Sequence, residues 1–156
     1  MKDYGTIEAT LNANVAPITV SNFAHLAESG FYNGLTFHRI IDGFMIQGGD
    51  PKGNGSGGSE NKIKGEFTKN GVENNISHIR GTISMARAQD PNSASSQLFI
   101  MQADNSTLNG NYAAFGTVTS GMDVVDAICK GVTPTDSNGT IPASKQPVIE
   151  SITMID

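Results

Sequence analysis

Between Thr36 and Ile41, side chains alternate as in a β-strand, with Phe37, Arg39 and Ile41 on one face and Thr36, His38 and Ile40 on the other. The alternation predicts an arginine set among aromatic and aliphatic neighbours. The run Gln97–Met101 repeats the motif, with Gln97, Phe99 and Met101 on one face and Leu98 and Ile100 on the other. Two strands that each seat a polar group on an apolar face point to a site rather than to plain core. Further strands are expected at Thr6–Leu11, near Phe44, and at Thr82–Ala86, Phe115–Val118 and Val148–Ile155. Val20, Phe23, Ala24 and Ala27 recur at helical spacing behind Pro17, which suits a first turn, and Met122–Cys129 reads as a second helix stopped by Gly131. The glycine-rich stretch Gly48–Gly58 is too rich in breakers for helix or strand and reads as an ordered loop, as does Thr133–Ala143 at the surface. The expected architecture is mostly β, a barrel capped by two helices in a single domain spanning 1–156.

Composition narrows the setting more than the function. A chain of 156 residues can bury a substantial core without disulfides, and its one cysteine, Cys129, can form none internally, which favours a reducing compartment. Fifteen acidic against ten basic residues give a net charge of −5, which speaks against nucleic acid or an anionic membrane as a general partner. Met1–Gly5 lacks the apolar centre of a secretory signal, and no later run is long and apolar enough to cross a bilayer. A cytoplasmic location is expected.

The ordered set Ala16–Phe23, Gly30-Phe31-Tyr32, Phe37–Asp50 (FHRIIDGFMIQGGD), Ile83–Ala88, Ser93–Ile100 (SASSQLFI), Leu108–Gly116 and Gly121–Val125 resembles the cyclophilin family of peptidyl-prolyl isomerases, nearest in pattern to bacterial single-domain members. The resemblance covers nearly the whole chain. It implies an eight-stranded antiparallel barrel closed by a helix at each end, with the substrate groove on the outer wall. Only Met1–Gly5 precede the strand at Thr6–Leu11, so the family's first strand is expected to be missing or shortened, with upstream residues, including a targeting segment, absent from this sequence. The implied activity is rotation about Xaa-Pro bonds in proline-containing polypeptides by a monomer that assists folding, without cofactor, metal or covalent intermediate.

Rotation breaks no bond. It must overcome amide resonance, a barrier of roughly 18–20 kcal/mol for peptide bonds generally. The resemblance assigns Phe44, Met45, Phe99 and Leu108 to a proline pocket, and Arg39 to the prolyl nitrogen, where twisting localises a lone pair. An arginine donates while staying charged, and a fixed donor aimed at developing charge is commonly worth about 10²–10³ in rate. Gln47 and Gln97 are similar to residues that orient Arg39 and the peptide, Ala86 and Arg87 match the segment that docks extended substrate, and Tyr112 lies at the far rim. Many eukaryotic members have asparagine, histidine and tryptophan where this chain has Arg87, Tyr112 and Thr107, so cyclosporin should bind weakly and Arg87 should favour acidic groups near the proline.

The rival readings are plainer. Taken singly, the four apolar residues would be ordinary core, Arg39 a paired structural arginine, and the glutamines local backbone partners. His38 falls opposite Arg39 by alternation and reads as structural, since no proton moves in the reaction. His25 and His78 lack metal-ligand spacing with each other or with Cys129, and Gly53–Gly58 fits G-x-G-x-x-G without opening a helix. A non-catalytic proline-peptide-binding module is the alternative from another class. A hydrolase is disfavoured because the serines of Ser93–Ser96 have no evident base.

Overall fold

Strand alternation works on both sides of one antiparallel sheet, and each side gathers its own apolar cluster. The computed structural model describes residues 1–155; of the expected 1–156 domain, residue 156 lies outside the described residues. Six strands form the sheet: β1 (Glu8–Leu11), β2 (Phe37–Ile41), β3 (Met45–Gly48), β4 (Thr82–Met85), β5 (Leu98–Met101) and β6 (Ala114–Ser120), in spatial order β1-β6-β4-β5-β3-β2. Two helices, α1 (Pro17–Glu28) and α2 (Met122–Gly131), pack Phe23, Leu26, Val125 and Ile128 into a core with Phe37, Ile40, Ile46, Ile83, Leu98, Ile100 and Phe115. On the opposite face Met45, Phe99 and Met101 form a second buried cluster, flanked by Ile41, Phe44, Ala86, Leu108 and Tyr112. The alternation expected for Gln97–Met101 therefore holds, and the outer-wall position expected for the groove has its apolar floor.

Three expectations need correction. The sheet is open: β1 and β2 do not pair, so the described residues show six strands rather than an eight-stranded closed barrel. The strand expected at Val148–Ile155 is reduced to a bridge from Val148 to Thr36 and two bonds between Ile149 and the Gly34-Leu35 backbone. The apolar period there is real, since Ile152 and Met154 rest partly buried on the core. Met1–Gly5, however, curls into a turn closed on the Met1 carbonyl, so only Lys2 offers that segment a bond and no ladder forms. Finally, β2 does not alternate strictly. Its register with β3 shifts between Phe37 and Arg39, so Phe37 and Ile40 both enter the inner core while Arg39 and Ile41 face outward. Arg39 therefore does not share a face with Phe37.

Each helix meets a constraint that local sequence does not reveal. Ala16 at the N-cap of α1 has no side chain to cap it. Glu66 does so from a distant loop, its carboxylate accepting from the Thr19 N–H at 2.6 Å, the Thr19 hydroxyl at 2.7 Å and the Ile18 N–H at 3.3 Å. At α2 the helix runs through Gly131 instead of stopping before it, and the missing side chain there makes room for the Tyr4 hydroxyl, which would sit 2.6 Å from a Cβ.

The loop after β3 is ordered by one carboxylate. Asp50, 1 % exposed, accepts from the backbone N–H groups of Lys52 (2.8 Å), Asn54 (3.2 Å), Gly55 (2.7 Å) and Gly57 (3.1 Å). Gly49, Gly53 and Gly55 take positive φ, as the tight path requires. Burial disfavours the charged form of Asp50, but the four N–H donors outweigh it and hold the carboxyl below its usual 3.8.

Removing the distant cap should cost about 1.5–3 kcal/mol, the range for hydrogen bonds to a charged group. Glu66→Ala is expected to lower the urea midpoint at unchanged m-value in equilibrium unfolding. Because the pKa of Asp50 is depressed by folding, its contribution is fully present above the unfolded value near 3.8 and fades as pH falls through the lower folded value. Acid titration should therefore expose the Lys52–Gly57 amides to hydrogen exchange before global unfolding, an order that Asp50→Asn should abolish.

Candidate active site

The outer apolar cluster floors a groove of about 730 Å³ lined by Arg39, Phe44, Met45, Gln47, Ala86, Arg87, Phe99, Leu108 and Tyr112, which are nine of the ten residues expected from the sequence. Gln97 stands behind them. The β2 bulge and the β2–β3 register set Arg39 directly across from Gln47, and β3 sets Gln47 across from Phe99. Side chains then connect along the same line. Arg39 Nη1 donates to Gln47 Oε1 (3.1 Å), Gln47 Nε2 donates to Gln97 Oε1 (3.0 Å), and Gln97 Nε2 donates to the carbonyls of Gly55 (3.0 Å) and Gly57 (2.8 Å). On its other side Arg39 Nε donates to the Asn138 carbonyl at 2.7 Å. The guanidinium is thus held at both ends while Nη2 has no partner among the described residues and remains available to a ligand.

The apolar end is stiffened from beneath. Phe99 is stacked on the His78 imidazole with ring centres 5.9 Å apart, and Tyr112 meets Phe99 edge-on at 5.7 Å. His78 Nδ1 lies 3.1 Å from Asn109 Oδ1 and Nε2 lies 3.0 Å from Ser84 Oγ. With Asn109 Oδ1 also accepting from the His78 backbone N–H, the consistent tautomer donates from Nδ1 and accepts the serine hydroxyl at Nε2. Burial lowers the His78 pKa against the opposing pull of Asn109, so the ring behind the pocket is neutral at physiological pH.

Arg87 is engaged within the groove wall. Its guanidinium lies 4.8 Å from the ring centres of both Phe67 and Tyr112 and donates to the carbonyls of Asn111, Ala88 and Gln89. It clamps the groove wall rather than reaching into solvent.

Four contributors were not singled out as site residues from sequence. Asn138 comes from the Thr133–Ala143 loop, and its carbonyl carries no sequence signal at all. Asp50 and His78 act through their hydrogen bonds. His38, expected to be structural, is 6 % exposed yet lines the groove, because the bulge that turns Arg39 outward also breaks the alternation that placed His38 opposite it. Among the described residues no group of three or more His, Cys, Asp or Glu side chains is arranged to hold a metal ion, and no helix is long and apolar enough to cross a membrane.

The family model described as "Cyclophilin type peptidyl-prolyl cis-trans isomerase/CLD" matches residues 1–154. Among curated relatives, the chain is 44% identical to a peptidyl-prolyl cis-trans isomerase of Acinetobacter baylyi, over 92% of this chain and 77% of that one. It is 41% identical to peptidyl-prolyl cis-trans isomerase B of Escherichia coli, over 97% and 95%. Among solved structures, a cyclophilin-type isomerase of Cryptosporidium parvum, crystallised in the presence of the dipeptide Ala-Pro, superposes with a TM-score of 0.86 at 31% identity, covering 99% of this chain and 95% of that one. An anchored arginine beside an aromatic-floored groove, in a fold and sequence shared with these proteins along almost its full length, shows that the chain belongs to the cyclophilin-type peptidyl-prolyl cis-trans isomerases.

Proposed function

We propose that Arg39 is the catalytic group of this isomerase and that Phe44, Met45, Phe99 and Leu108 receive the substrate proline. The observation that carries the reading is the doubly held guanidinium, bonded to Gln47 and to Asn138, with Nη2 unpartnered among the described residues, in a groove that Met45 and Phe99 also line. A proline ring seated on that floor brings its amide under a donor fixed before substrate arrives. As the Xaa-Pro bond twists, the nitrogen gains a localised lone pair that a charged N–H stabilises more than it stabilises the planar ground state. Apolar walls exclude the water that would solvate the more polar planar amide. Gln47 and Gln97 are positioning residues, and Ala86, Arg87 and Tyr112 form the wall along which an extended peptide lies. The Ala-Pro dipeptide present with the Cryptosporidium parvum relative supports proline-containing peptides as the substrate class. The same reading takes the chain as a single-domain monomer that works without a cofactor on exposed polypeptide. It is placed in the cytoplasm, where the buried Cys129 thiol stays reduced.

Arg39→Ala should lower kcat/KM for cis–trans exchange of an Xaa-Pro peptide, followed by NMR, at least about tenfold, or roughly 1.4 kcal/mol of transition-state stabilisation, with the unfolding midpoint unchanged. Peptide binding without exchange in the wild type would instead favour the binding-module alternative. Thr107 stands exposed where many eukaryotic members have tryptophan, and inhibition of that exchange by cyclosporin is expected to be weak; tight inhibition would overturn the assignment of that position.

A further inference from the structure

The groove extends past Arg39 into a second, polar end lined by His38, Lys52, Gly53, Asn54 and Gly55, and we propose that His38 and Lys52 there form a subsite for an acidic side chain of the substrate peptide. The proposal rests on the isomerase reading above and specifies the sequence around the proline that this site selects.

Charge is the first argument. The chain carries a net −5, yet the residues lining the groove include Arg39, Lys52 and Arg87 and no aspartate or glutamate. The basic groups are not equivalent. Arg87 spends its donors on backbone carbonyls between two aromatic rings, and Arg39 is held by Gln47 and the Asn138 carbonyl. Lys52 has no ion-pair partner among the described residues. Its stem is laid over the glycine loop, since a Cβ on Gly57 would come 3.0 Å from Lys52 Cγ, and its backbone N–H is fixed by Asp50. A lysine anchored in this way loses less freedom than a fully solvated one when it takes up a partner.

The second argument is independent of charge. His38 is more than nine-tenths buried, and neither ring nitrogen has a hydrogen-bond partner among the described residues, with Nδ1 fully buried and unsatisfied. Nε2 lies beneath Gly55, 3.5 Å from where a Cβ would stand, and Gly55 leaves that approach open. Nδ1 is sealed from the groove, so the bond that a ligand can supply is at Nε2, which has no partner among the described residues and lies beneath the groove-lining Gly55. A carboxylate oxygen accepting from Nε2–H and from the Lys52 ammonium pairs both donors. The charged neighbours are Arg39, which favours an anion here, and Asp50 beneath the loop, which opposes one but whose oxygens are engaged by four backbone N–H groups. The balance remains favourable to a carboxylate.

The test walks a glutamate through the three positions on either side of the proline in a short peptide, with glutamine and lysine at the same positions as references, and measures exchange by NMR. The wild-type protein should turn over one glutamate peptide roughly two- to fivefold better than its glutamine counterpart, the size expected of an exposed ion pair, and the advantage should fade in high salt. Lys52→Gln should bring that ratio to about one, and Lys52→Glu should invert it in favour of the lysine peptide. His38→Gln, checked for folding, should reduce the ratio without inverting it. No glutamate preference at any position, or a preference that survives Lys52→Gln, overturns the subsite while leaving the isomerase assignment intact. Failure to turn over any of the peptides overturns both.

Discussion

A strand in strict register sends every second side chain to the same face, and β2 breaks that rule at a single point. The shift between Phe37 and Arg39 lets two apolar side chains three residues apart, Phe37 and Ile40, both enter the inner core. What remains for the outer face is Arg39 and Ile41, and the guanidinium comes to lie opposite Gln47 rather than against a hydrophobic layer. Without the bulge, burying Phe37 would bury Arg39 too, at the desolvation cost of a charge without an acidic partner. The inner core and the outer site are thus reconciled by one extra residue in one strand.

From that residue outward, order is transmitted by hydrogen bonds instead of by apolar contact. Arg39, Gln47, Gln97 and the Gly55 and Gly57 carbonyls form a continuous line, and Asp50 gathers the N–H groups of the same loop. Long polar side chains carry large rotamer entropy, so each link restricts the next before substrate arrives. The apolar end is held by other means, with Phe99 fixed between the neutral His78 ring and Tyr112. One groove therefore joins two kinds of rigidity, packing at the proline end and a hydrogen-bond network at the other.

The cluster that floors the site was legible in the sequence because Gln97–Met101 keeps its alternation and the motifs around Phe44, Ala86, Leu108 and Tyr112 retain the family order. The glycine loop was legible from composition. The bulge in β2 was not, since strict alternation reads Arg39 onto the face of Phe37, and only core packing, which draws in both Phe37 and Ile40, decides otherwise. The reassignment of His38 follows directly from that. Glu66 and Asn138 were invisible for a different reason: one caps a helix 47 residues away and the other acts through a main-chain carbonyl, which every residue type possesses. The open sheet was equally beyond reach, because the apolar period at Val148–Ile155 describes a buried face and does not guarantee a neighbouring edge.

The bond from Arg39 to the Asn138 carbonyl spans 99 residues of chain. During translation at about 5–20 residues per second, roughly 5–20 s separate the emergence of the arginine from the emergence of the segment that steadies it. That interval overlaps the time an uncatalysed prolyl bond takes to isomerise, about 10–100 s at 25 °C. A nascent copy of this enzyme lacks the Asn138 hold on its guanidinium throughout that interval, so its site is completed only after all six strands of the sheet have been made.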